Sequence, residues 1–176
     1  MTPYQAIISK RDTRSFDGRP IPDDVLQRIL QAGRMAGSAK ALEPARFVVI
    51  RDQVQKEALA KCGNFTPHLP TAAAAVAIVL EPEMGVVGAP LTYFRGPFDA
   101  GRAAQNMMLA AWAEGVASCP ASMHQAEEAA RVLRLPEGYT VANTIAFGYP
   151  AGEDPARQQR PRKSLDQYVH WEHWGG

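Results

Sequence analysis

The sequence predicts an α+β sandwich rather than a doubly wound sheet, and three observations carry that expectation. Strand-like runs at 46–50, 72–80 and 140–147 are mixed with helical stretches, and no connection reads as a repeating βαβ unit. The run Val76-Ala77-Ile78-Val79-Leu80, broken by Pro82, reads as a central strand, although the alanines before it favour helix. Residues 99–115 form the most helical stretch. Ala103, Ala104, Met107, Met108, Ala111 and Trp112 surround most of its circumference, so it is buried on most sides.

Taken in order, Thr2 can cap a first helix over 2–9 with Pro3 at its first position and Ile7 and Ile8 turned inward. Pro22-Asp23-Asp24 opens the next helix, with acids where the backbone dipole favours them. Leu26, Ile29, Leu30 and Gly33 recur there at helical spacing. That helix dissolves at Gly37-Ser38-Ala39-Lys40, small residues that let backbone approach a ligand. A buried strand over 46–50 follows. Asp52 can then cap a short helix ending near Cys62, stopped by Gly63-Asn64.

Pro67 and Pro70 hold the next connection extended. Residues 81–98 contain Pro82, Gly85, Gly88, Pro90, Gly96 and Pro97 and read as a loop long enough to need a purpose. Asp99 caps the central helix. Residues 118–123 read as a short apolar link, and Ser122 with Gln125 resembles a capping box for a helix to Leu133. The strand over 140–147 is closed by Gly148-Tyr149-Pro150. Residues 151–176 are too polar to form a core. They end in two Trp side chains, so this segment is expected to dock as an arm on a second copy of the chain.

At 176 residues with 46% hydrophobic and 21% charged content, the chain suits one globular domain, 1–176, with 151–176 as its C-terminal arm. A net charge of +1 gives no general pull toward nucleic acid or an anionic membrane, so neither is expected as a partner. Cys62 and Cys119 are too few for a disulfide framework and fit a reduced, cytoplasmic setting. The N-terminus lacks the charged-then-apolar layout of a signal peptide. The longest apolar run, 72–80, is far short of the roughly 20 residues of a membrane helix.

Familiar catalytic signatures are missing: no GxGxxG follows a strand, and there is no GxxxxGK[ST] or GxSxG. His170 and His173 at a spacing of three lack an evident third ligand, so no metal site is expected. Cys119 has no nearby base and reads as a buried filler. His68 beside Pro67 is a pocket residue or a solvated loop histidine. With no clear acid, base or nucleophile, a bound organic cofactor would supply the reactivity.

Two knots of cations would hold it. The first is Lys10-Arg11-Asp12-Thr13-Arg14-Ser15-Phe16, where the first helix ends; the second is Arg160, Arg162 and Lys163. Each knot alone also describes a solvated surface. Brought together by folding, they would clamp one phosphate, because the planar guanidinium offers paired donors and stays charged.

Lys10-Arg11-Asp12-Thr13-Arg14-Ser15-Phe16 resembles the RRSxRxF opening of the flavin-dependent nitroreductase family. Ser38-Ala39-Lys40-Ala41-Leu42-Glu43-Pro44-Ala45-Arg46-Phe47 resembles its PSAxNxQPWxF loop. Asp99-Ala100-Gly101 through Gln105-Asn106-Met107-Met108-Leu109-Ala110-Ala111 resembles its DxGxAxQNLLLAA helix. Gly148-Tyr149-Pro150, the run from Arg160 to Leu165, and His170-Trp171-Glu172 resemble its C-terminal signature. These stretches, in register, span nearly the whole chain.

The resemblance implies a nitroreductase-like α+β sandwich whose central, mostly antiparallel sheet is flanked by helices. It implies a swapped-arm homodimer with two FMN sites at the interface. Arg11, Asp12 and Arg14 with Arg160 and Arg162 would hold the flavin phosphate and nearby polar groups. Ser38, Ala39 and Lys40 would come from the partner subunit to the isoalloxazine region, and Pro120, Ala121 and Ser122 would cover one flavin face. The flavin would carry the chemistry, with no catalytic side chain. Hydride would pass from NAD(P)H to FMN and then to a nitroaromatic, quinone or similar flat small-molecule acceptor. Residues 81–98 would shape the acceptor pocket.

The departures from the family pattern are Asp12 for Ser, Gly37 for Pro, Ala41 for Asn, Glu43 for Gln and Ala45 for Trp. They keep open a flavin-binding protein without turnover, for storage or sensing. Asp at position 12 is also found in the related enzyme that makes dimethylbenzimidazole by fragmenting FMN. The Ser that enzyme carries after its central helix has no counterpart here, where Pro120 stands.

Overall fold

The computed structural model describes residues 1–82, 90–152 and 161–175. Among them a four-stranded sheet is formed by β1 (Ala45–Ile50), β2 (Ala74–Leu80), β3 (Ala117–Ala121) and β4 (Thr140–Gly148). Its order is β1-β2-β4-β3, and every pair is antiparallel. Helices α2 (Asp23–Arg34) and α4 (Pro90–Ala113) cover one face. Helices α3 (Gln53–Ala60) and α5 (Ala126–Val132) cover the other, and α1 (Pro3–Ser9) lies against α4. This is the α+β sandwich the sequence predicts.

Strand β2 is buried along its whole length because both faces of its pleat meet helices. Val76, Ile78 and Leu80 point to the α2/α4 side with Ile29, Met107, Ile145 and Phe147. Ala75, Ala77 and Val79 point to the α3/α5 side with Leu59, Leu69 and Ala146. Helices α2 and α4 approach closely at Gly33, where a Cβ would stand 2.6 Å from Met107 Cγ. Among the described residues no helix is long and apolar enough to cross a membrane.

Several expectations need correction. Helix α4 begins at Pro90, so the loop expected over 81–98 is helical from 90 onward, and residues 83–89 lie outside the described residues. Pro90 stands at the first position, where a missing N–H costs nothing. Pro97 forfeits one interior bond, which packing on α2 and the sheet outweighs. Asp99 is therefore inside the helix and not its cap.

The link over 118–123 is largely edge strand β3, where Pro120 is tolerated. Helix α5 begins at Ala126 without a side-chain cap, so the Ser122–Gln125 box does not form; the Gln125 N–H donates to the Cys62 carbonyl at 2.9 Å. Strand β1 is only partly buried, because it sits at the sheet's edge. Ile7 and Ile8 face outward, 57% and 52% exposed, and Ala6 is the buried residue of α1. In a helix this short only one narrow stripe reaches the core.

Candidate cofactor site

Helix α1 stops at Ser9 and delivers the cationic segment to the rim of the sheet. The Arg11 guanidinium turns back, donating from Nη1 to the Ile8 carbonyl at 2.9 Å and the Lys10 carbonyl at 2.8 Å. It thus satisfies carbonyls that the helix end leaves open. Lys10 is nearly buried; its ammonium pairs with the Asp12 carboxylate and lies 3.6 Å from the Met108 sulfur. The charge of Lys10 is therefore partly neutralised inside the knot.

Past Lys10 the chain runs along β3. Asp12 bridges Ser118 in parallel, and the Thr13 N–H donates to the Ser118 carbonyl at 3.1 Å. Phe16 then bridges Pro150 and packs against Gly148, where a Cβ would stand 2.8 Å from its ring. The Asp17 N–H donates to the Tyr149 carbonyl and the Ala151 N–H to the Ser15 carbonyl, each at 3.0 Å. The base of the C-terminal arm is thus tied to the head segment. Arg14 is exposed at the surface of this junction.

The junction has an unusual floor. Thr13 Oγ1, Ser118 Oγ and both ring nitrogens of His68 are buried without hydrogen-bond partners. They are four of the six such side-chain atoms found among the described residues, which marks this spot as built for polar contact. His68 is 2% exposed. Burial first, then the Arg14 charge, pushes its pKa below the usual imidazole value, against a smaller opposite pull from Asp12 and the Cys119 backbone. His68 is therefore neutral at pH 7. The sequence offered only its proximity to Pro67, and its place beside the Cys119 backbone is a tertiary feature.

Pro120, Ala121 and Ser122 belong to the same neighbourhood. Pro120 and Ala121 are the last residues of β3, opposite Ile145 and Thr144, and Ser122 emerges to solvent. The turn at Gly63 lies directly against the Ser122 carbonyl, 2.6 Å from where a Cβ would be. The structure thus brings Arg11, Asp12 and Arg14 to the strand that carries Pro120, Ala121 and Ser122.

Ser38, Ala39 and Lys40 are elsewhere. Lys40, Ala41 and Glu43 have positive φ, at 55°, 54° and 48°. This conformation is held by the Glu43 N–H on Ser38 Oγ and the Ala39 N–H on Asp99 Oδ2, each 2.9 Å. Asp99 and Met108 mark where the loop and the head segment touch α4, nine residues or about 13 Å of helix apart. Within one chain Ser38–Lys40 and Arg11–Arg14 thus meet α4 at separate points. A cavity of about 550 Å³ borders the loop, lined by Arg34, Ser38, Glu43, Phe47, Asp99 and Ala103. Asp99, which fixes the loop, is missing from the sequence-derived site.

Arg160 lies outside the described residues, and Arg162 is exposed ahead of the short turn Leu165–Gln167. His170 stacks on Trp174 with ring centroids 4.2 Å apart and accepts from the Gly175 N–H at 3.3 Å. Among the described residues no group of three or more His, Cys, Asp or Glu is placed to hold a metal.

Comparison with known proteins gives the family and the fold. The profile of the Nitroreductase family matches residues 7–73 and 63–149. An Archaeoglobus fulgidus protein with the provisional name NADH dehydrogenase/NAD(P)H nitroreductase is 28% identical over 172 residues, 96% of each chain. A Vibrio harveyi NADPH-flavin oxidoreductase is 27% identical over 94% of this chain and 72% of its own. The solved structure of Vibrio harveyi NADPH:FMN oxidoreductase complexed with NAD+ superposes with a TM-score of 0.87 at 23% identity, covering 99% of this chain and 78% of that one.

Proposed function

This chain belongs to the nitroreductase family, and on that premise we propose that it is a flavin-dependent oxidoreductase using FMN, NAD(P)H and a flat acceptor such as a nitroaromatic or quinone. The observation that carries the reading is the head segment, Lys10 to Arg14, seated on β3 at Ser118, with buried unmet polar atoms on Thr13 and Ser118 at the junction. Cations over a polar floor fit the phosphate and ribityl end of a flavin nucleotide. When bound, FMN would accept hydride from NAD(P)H and pass it to the acceptor.

In this reading Arg14 holds the phosphate, with Arg160 and Arg162 approaching from the arm. Asp12 orients Lys10 or accepts from a hydroxyl, and Pro120–Ser122 wall one side. In this reading the site is completed by Ser38, Ala39 and Lys40 of a second copy. The exposed apolar residues of α1 and of the arm, including Ile7, Ile8, Trp171 and Trp174, support a homodimer. Buried free Cys62 and Cys119 fit a reducing, cytoplasmic setting.

The test is the absorption spectrum of the purified protein mixed with FMN, before and after anaerobic NADPH. A flavin band that bleaches is expected. A protein that takes up no FMN would overturn the proposal, and bound FMN that neither NADH nor NADPH bleaches would select binding without turnover.

A further inference from the structure

The turn after α3 is pressed onto the segment that follows β3. A Cβ at Gly63 would stand 2.6 Å from the Ser122 carbonyl oxygen and 2.4 Å from Thr66 Cγ2, so glycine lets the two backbones approach this closely. The Asn64 N–H donates to His124 Nδ1 at 3.1 Å, and the Gln125 N–H donates to the Cys62 carbonyl at 2.9 Å. Within the turn the buried Thr66 donates from Oγ1 to the Ala60 and Gly63 carbonyls. Residues 63–66 are therefore fixed against residues 122–125.

Two exposed rings stand on this frame. Phe65 is 77% exposed, and its ring meets that of His124 edge to face, with centroids 6.1 Å apart at 67°. A lone phenylalanine at the surface would carry no meaning. This one is held beside an oriented polar group. Because Nδ1 of His124 accepts from Asn64, the neutral ring carries its proton on Nε2. That N–H has no partner among the described residues, and the ring is exposed. Lys61, Asn64, Ser122 and Gln125, exposed on the same two segments, are polar, so the rings are not part of a wide apolar patch such as a subunit contact needs. A flat apolar face with one placed donor is how a pocket holds and orients a small aromatic molecule.

We propose that Phe65 and His124 select the acceptor: Phe65 lies against its flat ring, and His124 Nε2–H donates to a quinone carbonyl or nitro oxygen. This rests on the flavin reading above, in which Pro120–Ser122 wall one side of the cofactor, and it extends that wall by two residues in contact with the same segment. Neither residue gives or takes electrons. Those come from the reduced flavin, and the pair fixes where the acceptor ring sits.

The experiment loads the full chain with FMN and reduces it anaerobically with one equivalent of dithionite. Return of the flavin band is then followed in stopped flow with menadione or with ferricyanide. Menadione is a flat quinone, whereas ferricyanide accepts single electrons and has neither a ring to stack nor a carbonyl to hold. Phe65→Ala should lower the menadione-to-ferricyanide rate ratio about fivefold, through loss of one aromatic contact. Phe65→Tyr should retain the ratio. His124→Asn keeps an oxygen that can accept from the Asn64 N–H but has nothing in place of Nε2, and it should also lower the ratio about fivefold. Phe65→Leu keeps apolar bulk without the flat face and carries the same expectation if the alanine variant fails to fold. An unchanged ratio in the folded variants, or a Phe65→Ala chain that sediments as a smaller assembly than wild type, would overturn the assignment alone. So would a wild type that takes up FMN but whose reduced flavin does not react with menadione. A wild type that takes up no FMN would overturn the flavin reading together with it.

Discussion

The backbone N–H of Ala39 donates to Oδ2 of Asp99, sixty positions away, at 2.9 Å. The Asp99 carboxylate is almost fully buried, and Arg102 lies 3.6 Å from its other oxygen. Gly37 is pressed against that same guanidinium, where a Cβ would stand 2.4 Å from Arg102 Nη2. A loop with three positive-φ residues is thereby latched to α4.

Asp99→Ala should therefore lower stability by about 1.5–3 kcal/mol, the range for hydrogen bonds to a charged group. Asp99→Asn keeps an acceptor oxygen and should cost less. Urea unfolding of both variants measures this; an unchanged midpoint in Asp99→Ala would show that the latch contributes nothing.

The Lys10–Asp12 pair makes a second expectation. Asp12→Ser removes an anion beside the phosphate clamp and releases the Lys10 ammonium, so FMN should bind severalfold tighter. Arg14→Ala should weaken it by about 1.5–3 kcal/mol. Arg11→Ala should instead act mainly on α1, because its donors serve the Ile8 and Lys10 carbonyls. Isothermal titration with FMN separates the three. Weaker binding in Asp12→Ser would mean that Asp12 touches the cofactor itself.

How far the sequence could be read follows from which interactions are local. The Thr2 cap, the Asp52 cap and the β2 run depend on neighbours in sequence and were legible. The start of α4 was not, since Gly96 and Pro97 argue against helix and only packing on α2 and the sheet overrides them. The cationic knot was named from the chain, and Pro120–Ser122 from the family resemblance, while the residues alone read as a link and not as strand. Asp99's role and the place of His68 were hidden, because their partners lie about 60 and 50 positions away.

The depressed pKa of His68 gives a pH prediction. Above about pH 6.5, the ordinary imidazole value, His68 is neutral in both folded and unfolded chains and stability is unaffected by it. Below that value the unfolded chain binds a proton that the folded chain refuses, so stability falls as pH falls until the folded pKa is passed. Thermal unfolding of wild type and His68→Leu between pH 7.5 and 5 should show a steeper loss in wild type. Parallel curves would mean that the folded protein accommodates a charged His68.

The arm supplies the last expectation. Leu165, Tyr168, Trp171 and Trp174 are 74%, 62%, 70% and 88% exposed, while Trp112 is half-buried and donates to Ser9 Oγ at 2.8 Å. Four large apolar side chains on one short segment would be a poor monomer surface, but they suit an arm laid on a second copy. Removing residues 165–176 should therefore shift sedimentation from dimer toward monomer. Trp171→Ala with Trp174→Ala should do so by losing aromatic anchors that typically cost more than about 1 kcal/mol each. Dilution of the wild type should move tryptophan emission to the red as the two indoles return to water. A protein that sediments as a monomer at every concentration would remove the second copy, and with it the loop Ser38–Lys40 from the proposed flavin site.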